Sequence, residues 1–186
     1  MKNKIIIILT LSITLISCAQ DDSNKSDSTS YTSKNSYISK WHHFKMNLPD
    51  EWTFKKIPDD NNVLIYNAKD EEDSQEGNER KFMIKVFALP EAYTSKYTCE
   101  VNLQSFKDDP TFENLKVLTK SEYKIDKYDA VKLVFTATVQ GNETTSIQYY
   151  LAIDKKLFIF GGSILSTYLG NTDKIFDKML GSVQFD

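Results

Sequence analysis

Apolar and polar residues alternate two apart through most of the chain beyond residue 38, and this period is the signature of strands with one face buried. Phe44, Met46 and Leu48 alternate with polar neighbours up to Pro49, and Trp52, Phe54 and Ile57 resume after a Pro49-Asp50-Glu51 turn. Residues 63–66 and 82–89 predict two further strands, separated by an acidic stretch at 69–79. The clearest element is a meander. Val131, Leu133, Phe135, Ala137 and Val139 share one face of a strand, Gln140-Gly141-Asn142-Glu143 turns the chain, and Ile147, Tyr149, Leu151 and Ile153 share one face of the return. Phe135, Tyr149 and Leu151 are therefore expected to be buried together on one sheet face. Asp154-Lys155-Lys156 turns the chain again into 157–165, where Phe158 and Phe160 interleave with Leu157 and Ile159, a strand covered on both faces. Gly161-Gly162 would weaken a plain strand and predicts a bulge or a close approach.

Two segments carry helical spacing. Ile175, Phe176, Met179 and Leu180 recur as on a helix capped by Asn171 or Thr172 and ended by Gly181. Residues 97–108, with Val101 and Phe106, predict another that closes before Pro110. Ser182-Val183-Gln184-Phe185 reads as a last short strand.

The first 17 residues follow a different pattern. Met1-Lys2-Asn3-Lys4 is basic, and residues 5–16 carry no charge, a length that fits a signal peptide and falls short of the ~20 residues needed to span a bilayer. The stretch closes on Leu15-Ile16-Ser17-Cys18, which resembles the bacterial lipobox. The resemblance implies cleavage after Ser17 and acylation of Cys18, the expected lipid attachment site, with more than one acyl chain giving stable anchoring. The following Ala19-Gln20-Asp21-Asp22 is similar to the export signal that sends lipoproteins of Bacteroidota to the cell surface, so the expected location is the bacterial outer membrane, facing the periplasm or the surface.

From 18 to 37 the serines are interleaved with Asp, Lys, Asn and Thr without apolar periodicity. Such a segment buries too little surface to offset its ordering entropy, which predicts a flexible tether. Within it Asp27-Ser28-Thr29 resembles the O-glycosylation sequon of Bacteroidota. Residues 38–186 then form one globular domain with no second linker and no internal repeat. Removal of residues 1–17 leaves 21 basic against 26 acidic side chains, a formal charge of −5, which gives no electrostatic reason to bind nucleic acid or anionic head groups.

Phe44-Lys45-Met46-Asn47-Leu48-Pro49-Asp50-Glu51-Trp52, the Tyr128-Asp129-Ala130-Val131 strand, Tyr149-Tyr150-Leu151 before a tight turn, a strand rich in Phe and Gly, a short helix and the closing Ser182-Val183-Gln184-Phe185 together resemble the PsbP-like domains. The resemblance covers most of 40–186, with Asp126-Lys127 where relatives often carry a glycine. It implies an α+β fold, an antiparallel β-sheet with helices packed on both faces. Members include photosystem accessory subunits, a nuclear import factor that binds a small GTPase, periplasmic lipoproteins and chaperones. Most bind other proteins, and no shared catalytic set carries over.

Few residues here suit chemistry. His42 and His43 are the only histidines, and as neighbours on a strand they would point to opposite faces and could not share a metal. With Cys18 acylated, Cys99 has no thiol partner and reads as a small buried hydrophobe. In the acidic run at 70–77 the glycine falls too late for an EF-hand, so a solvated loop is expected. Ser163 follows Gly161-Gly162 but lacks a nucleophile-elbow pattern. Tyr93, Tyr97, Tyr150 and Tyr168 fall off the predicted apolar faces and are candidates for an interaction patch. No cofactor or metal is expected. The function expected is a membrane-anchored, non-catalytic module that binds an envelope protein. A small-ligand or ion carrier is the alternative, and an enzyme comes third.

Overall fold

The computed structural model describes residues 35–40, 42–56, 62–67, 80–168 and 170–186, so Cys18, the tether up to residue 34 and the acidic run at 70–77 lie outside the described residues. Among the described residues ten strands form two antiparallel sheets. The small sheet has the order β1 (Ser36–Ser39), β2 (Phe44–Asn47), β10 (Gln184–Phe185). The large one has the order β3-β4-β5-β9-β8-β7-β6, built from β3 (Trp52–Lys56), β4 (Val63–Asn67), β5 (Lys81–Ala88), β6 (Glu113–Ile125), β7 (Tyr128–Val139), β8 (Asn142–Ile153) and β9 (Lys156–Leu165). Helix α1 (Ser95–Asp108) connects β5 to β6, and α2 (Thr172–Leu180) follows β9 through a short 3₁₀ turn, Ser166–Tyr168.

The two helices pack on opposite faces of the large sheet. On the α2 face, Ile65, Phe82, Ile84, Ile147, Tyr149, Leu151, Phe158 and Phe160 meet Phe176, Met179 and Leu180 of α2 together with Tyr37, Phe44 and Met46 of the small sheet. Phe44 is edge-on to both Phe158 and Phe160, with centroids 6.2 and 5.9 Å away, and Phe82 is edge-on to Phe176 at 4.8 Å, the geometry the ring quadrupole favours. On the other face, Cys99, Leu103 and Phe106 of α1 cover Val131, Leu133, Phe135, Tyr150, Leu157 and Ile159. Each such side chain, fully buried, contributes roughly 1.5–3 kcal/mol before entropy is counted.

Most predicted elements are present, and β9 is covered on both faces as expected. The glycine pair does mark a close approach: Gly161 has φ +144°, and a Cβ there would lie 2.0 Å from the Ile147 carbonyl oxygen, while one on Gly162 would lie 2.0 Å from that of Lys81. Two expectations need correction, and one strand was not anticipated. β1 begins at Ser36, inside the segment assigned to the tether, because Tyr37 is buried against Phe44 and Phe54. The strand β6 carries no buried stripe that would announce it, since most of its residues are exposed. Finally, Phe135 does not share a face with Tyr149 and Leu151. Val139 stands opposite Asn142 across a two-residue turn, Gln140-Gly141, both at positive φ, so an odd-numbered residue of β7 always faces an even-numbered residue of β8. All three are buried, but Phe135 lies on the α1 face and the other two on the α2 face.

Candidate functional site

Among the described residues, the large apolar side chains left exposed lie on α1 and on β6, which an ion pair joins. The chain arrives at α1 extended at Thr94, whose Oγ1 accepts the Tyr97 N–H at 3.1 Å and caps the helix. One residue on, the Ser95 hydroxyl donates to the Asp129 carbonyl at 2.7 Å and accepts the Ala152 N–H at 3.0 Å, pinning the first turn to β7 and β8. The outward side of that turn carries Tyr97, stacked on Tyr93 with centroids 4.8 Å apart and planes 27° from parallel. A hydrogen bond donated to the Glu91 carboxylate holds the Tyr93 phenol above its usual pKa. One turn further, Glu100 bridges to Lys120 of β6 and ties helix to strand.

Next to Lys120 the strand is irregular. Its register passes from Val117 opposite Phe135 to Thr119 opposite Val134, so Leu118 has no partner of its own on β7, which is a β-bulge. Leu118 is 49% exposed and Tyr97 is 51% exposed, and these are the large apolar side chains left exposed among the described residues.

A second polar group lies on the other face. The Asp177 carboxylate of α2 accepts from the Tyr149 hydroxyl at 2.7 Å and from the Lys132 ammonium at 2.7 Å, and its main-chain carbonyl accepts from the Tyr123 hydroxyl at 3.3 Å. Burial, with the adjacent carboxylate, raises the Tyr149 pKa far above the phenol range and that of Tyr123 to about 12. Both carboxylate oxygens are occupied, so the group acts as a clamp of helix on sheet. Nothing in the sequence marks this cluster, because Lys132, Tyr149 and Asp177 are far apart along the chain.

The residues singled out from the sequence do not converge. His42 and His43 lie in the β1–β2 turn, not on a strand: His43 has φ +56°, and His42 is edge-on to Phe158 at 5.8 Å. Burial, Lys156 and His43 lower the His42 pKa to about 4, so its ring is neutral at pH 7. Cys99 is buried, and desolvation pushes its thiol up to about 12, the reverse of an activated nucleophile. Ser163 hydrogen-bonds the Ser146 hydroxyl at 2.6 Å. Of the four tyrosines proposed for a surface patch, Tyr93 and Tyr97 stack on each other and Tyr97 is half exposed. Tyr150 is a correction: it is fully buried under α1, with its hydroxyl bonded to the Gln148 side chain. The side chain of Tyr168 lies outside the described residues. Leu118, Glu100 and Lys120 complete the corner and were not anticipated. No helix among the described residues is long and apolar enough to cross a membrane.

This architecture is the α+β fold shared by PsbP and Mog1 proteins. No family model and no curated protein matches the chain. Among solved structures, the PsbP of the cyanobacterium Synechocystis sp. PCC 6803 superposes with a TM-score of 0.60 at 11% identity, over 81% of this chain and 91% of its own. The Ran-binding protein Mog1p of Saccharomyces cerevisiae gives 0.58 at 6% identity, over 83% and 96%. A protein of Bacteroides thetaiotaomicron gives 0.51 at 18% identity over 83% of this chain and 49% of that one, so the chain spans about half its length. At these identities the likeness is one of fold.

Proposed function

We propose that this chain is a lipoprotein anchored to the bacterial outer membrane through Cys18, and that its folded domain binds a protein of the cell envelope without catalysing a reaction. The observation that carries this reading is the α1–β6 corner. There Tyr97 and Leu118 remain half exposed, while Glu100, Lys120 and the Ser95 hydrogen bonds hold the scaffold around them in place. An aromatic and an aliphatic side chain beside an ion pair fit the anchors and polar rim of a protein interface. Mog1p, whose fold is similar, is itself named for binding another protein, which sets a prior and no more. The lipobox-like Leu15-Ile16-Ser17-Cys18 supplies the anchor, and tethering raises the effective concentration of the domain near membrane partners.

Two measurements test the two halves. Cys18→Ser should stop incorporation of labelled palmitate, and equal labelling of the variant would refute the anchor. A photo-crosslinking amino acid at position 97 should capture a discrete envelope protein in the native cells, whereas the same probe at Lys55, on the far edge of the sheet, should not. Equal capture from both positions would refute the corner as the binding surface.

A further inference from the structure

The open side of β6 is not uniform. Its first half is blunted, with register shifts between Glu113 and Lys116 and between Val117 and Thr119, which is how natural sheets discourage edge pairing. From Thr119 to Ile125 the register against β7 runs unbroken, ending with Ile125 opposite Tyr128 across the two-residue Asp126-Lys127 turn. This half is a regular strand at the end of the seven-stranded sheet with no strand beyond it among the described residues.

The backbone groups on that edge can be assigned. The pair that closes a two-residue hairpin exchanges hydrogen bonds, and bonded pairs then alternate with unbonded ones. Ile125, Tyr123, Ser121 and Thr119 therefore direct their N–H and C=O groups to β7, while Lys124, Glu122 and Lys120 direct theirs outward. The Asp129 carbonyl agrees: it accepts the Ser95 hydroxyl that also bonds the Ala152 N–H, so it points to β8 and away from Lys124. The three residues that offer backbone groups are exposed and alternate in charge, positive, negative, positive. Lys120 and Lys124 have ion-pair partners in Glu100 and Asp129, both at exposed positions, and Glu122 has none among the described residues.

We infer that Thr119–Ile125 receives an extended segment of a partner protein as an eighth strand, with acidic, basic and acidic side chains opposite Lys120, Glu122 and Lys124. Main-chain bonds to an edge strand supply affinity, and alternate side chains supply selection. The charges select against a second copy of this chain. Antiparallel pairing of the same seven residues would set Lys120 against Lys124 and Glu122 against itself, and like charges directly opposite are destabilising. A basic side chain opposite Glu122 is the strongest requirement, since the two lysines already have acidic neighbours.

This inference rests on the protein-binding reading, and the two fail separately, because crosslinks from position 97 report binding whether or not a strand is added. The probes are two end-capped nonapeptides rich in Thr and Val. One carries Glu, Lys and Glu at alternate central positions, and the other carries Lys, Glu and Lys. Titrated against the full chain in detergent, the first should bind at least ten-fold more tightly (about 1.4 kcal/mol). It should also slow amide exchange at Lys120, Glu122 and Lys124, whose N–H groups are unbonded in the free protein. Glu122→Lys should remove or reverse the preference. Glu122→Pro should abolish binding with an unchanged melting midpoint, because a proline whose N–H would face outward is tolerated on an edge strand. Equal binding of the two peptides, no protection at the three amides, or a homodimer that pairs through this edge would overturn the inference.

Discussion

The two faces of the large sheet are built to different standards. On the α2 face, twenty buried residues among those described form one cluster, roofed by a helix and a second sheet and clamped through Asp177. On the α1 face ten of the described residues are buried under one helix, and Tyr97 of that helix and Leu118 of β6 stay exposed. Adjacent tyrosines of β8 show the contrast within one dipeptide. Both are fully buried, but Tyr149 donates a hydrogen bond to a carboxylate under a double roof, and Tyr150 donates one to an amide oxygen under a single helix. One face holds the fold together, and the other is lightly covered enough to present a surface.

The largest expected effect removes the comparison altogether. Gly161→Ala would drive a Cβ to 2.0 Å from the Ile147 carbonyl oxygen at φ +144°, so β8 and β9 could not pair as they do. A cost above about 4 kcal/mol is expected, seen as loss of a cooperative thermal transition. Next, Leu151→Ala on the doubly roofed face should cost about 2–5 kcal/mol and Leu103→Ala on the singly roofed face less, because the cost grows with the cavity that cannot collapse. Equal shifts in denaturant midpoint would show that the faces are equally rigid.

A smaller contrast is expected from the hydroxyls. Tyr149→Phe loses a hydrogen bond to a charged acceptor, about 1.5–3 kcal/mol, whereas Tyr150→Phe loses a neutral one, about 0.5–1.5 kcal/mol. Chemical denaturation of both variants would reverse or sharpen the ranking. The finest test is alkaline. Burial raises the pKa of both phenols in the folded state, so above pH ~10 the unfolded chain releases protons that the folded chain retains. Stability contributed below that pH should then be lost as pH rises, by up to about 1.4 kcal/mol per pH unit for each tyrosine. A stability profile that stays flat between pH 9 and 11, or no flattening when Tyr150 becomes Phe, would contradict their burial.

The strands and helices were legible where one face is apolar and the other wet. Strands β2 to β5 and both helices follow that rule, the β7–β8–β9 meander showed instead through its turns and its doubly apolar runs, and the thiol of Cys99 was rightly read as core. The faces of the meander were not legible from alternation alone. With apolar residues on both sides of a central strand, as at Tyr149 and Tyr150, the period names two faces without saying which is which. Only the parity imposed by the Gln140-Gly141 turn decides it. β6 escaped for the opposite reason, since a strand at the sheet edge buries little and its sequence alternates charge with hydroxyl. The corner at Tyr97 was half visible, because an aromatic off the apolar face shows in the sequence. Leu118 did not, because its exposure follows from a bulge that no local residue pattern marks.

The small sheet has a consequence for the order in which contacts can form. Strands β6 to β9 are joined by tight turns, so their pairing closes only short loops of chain. By contrast, the Asn47 N–H reaches the Ser182 hydroxyl across 135 residues, and β2 has no partner on that side until β10 arrives. Loop-closure entropy rises with separation, and contacts distant in sequence are the slow ones. The meander is thus the natural seed. The aromatic layer in which Phe185 meets Phe44 and Phe158 is a late seam, sewn where the two ends of the folded domain come together.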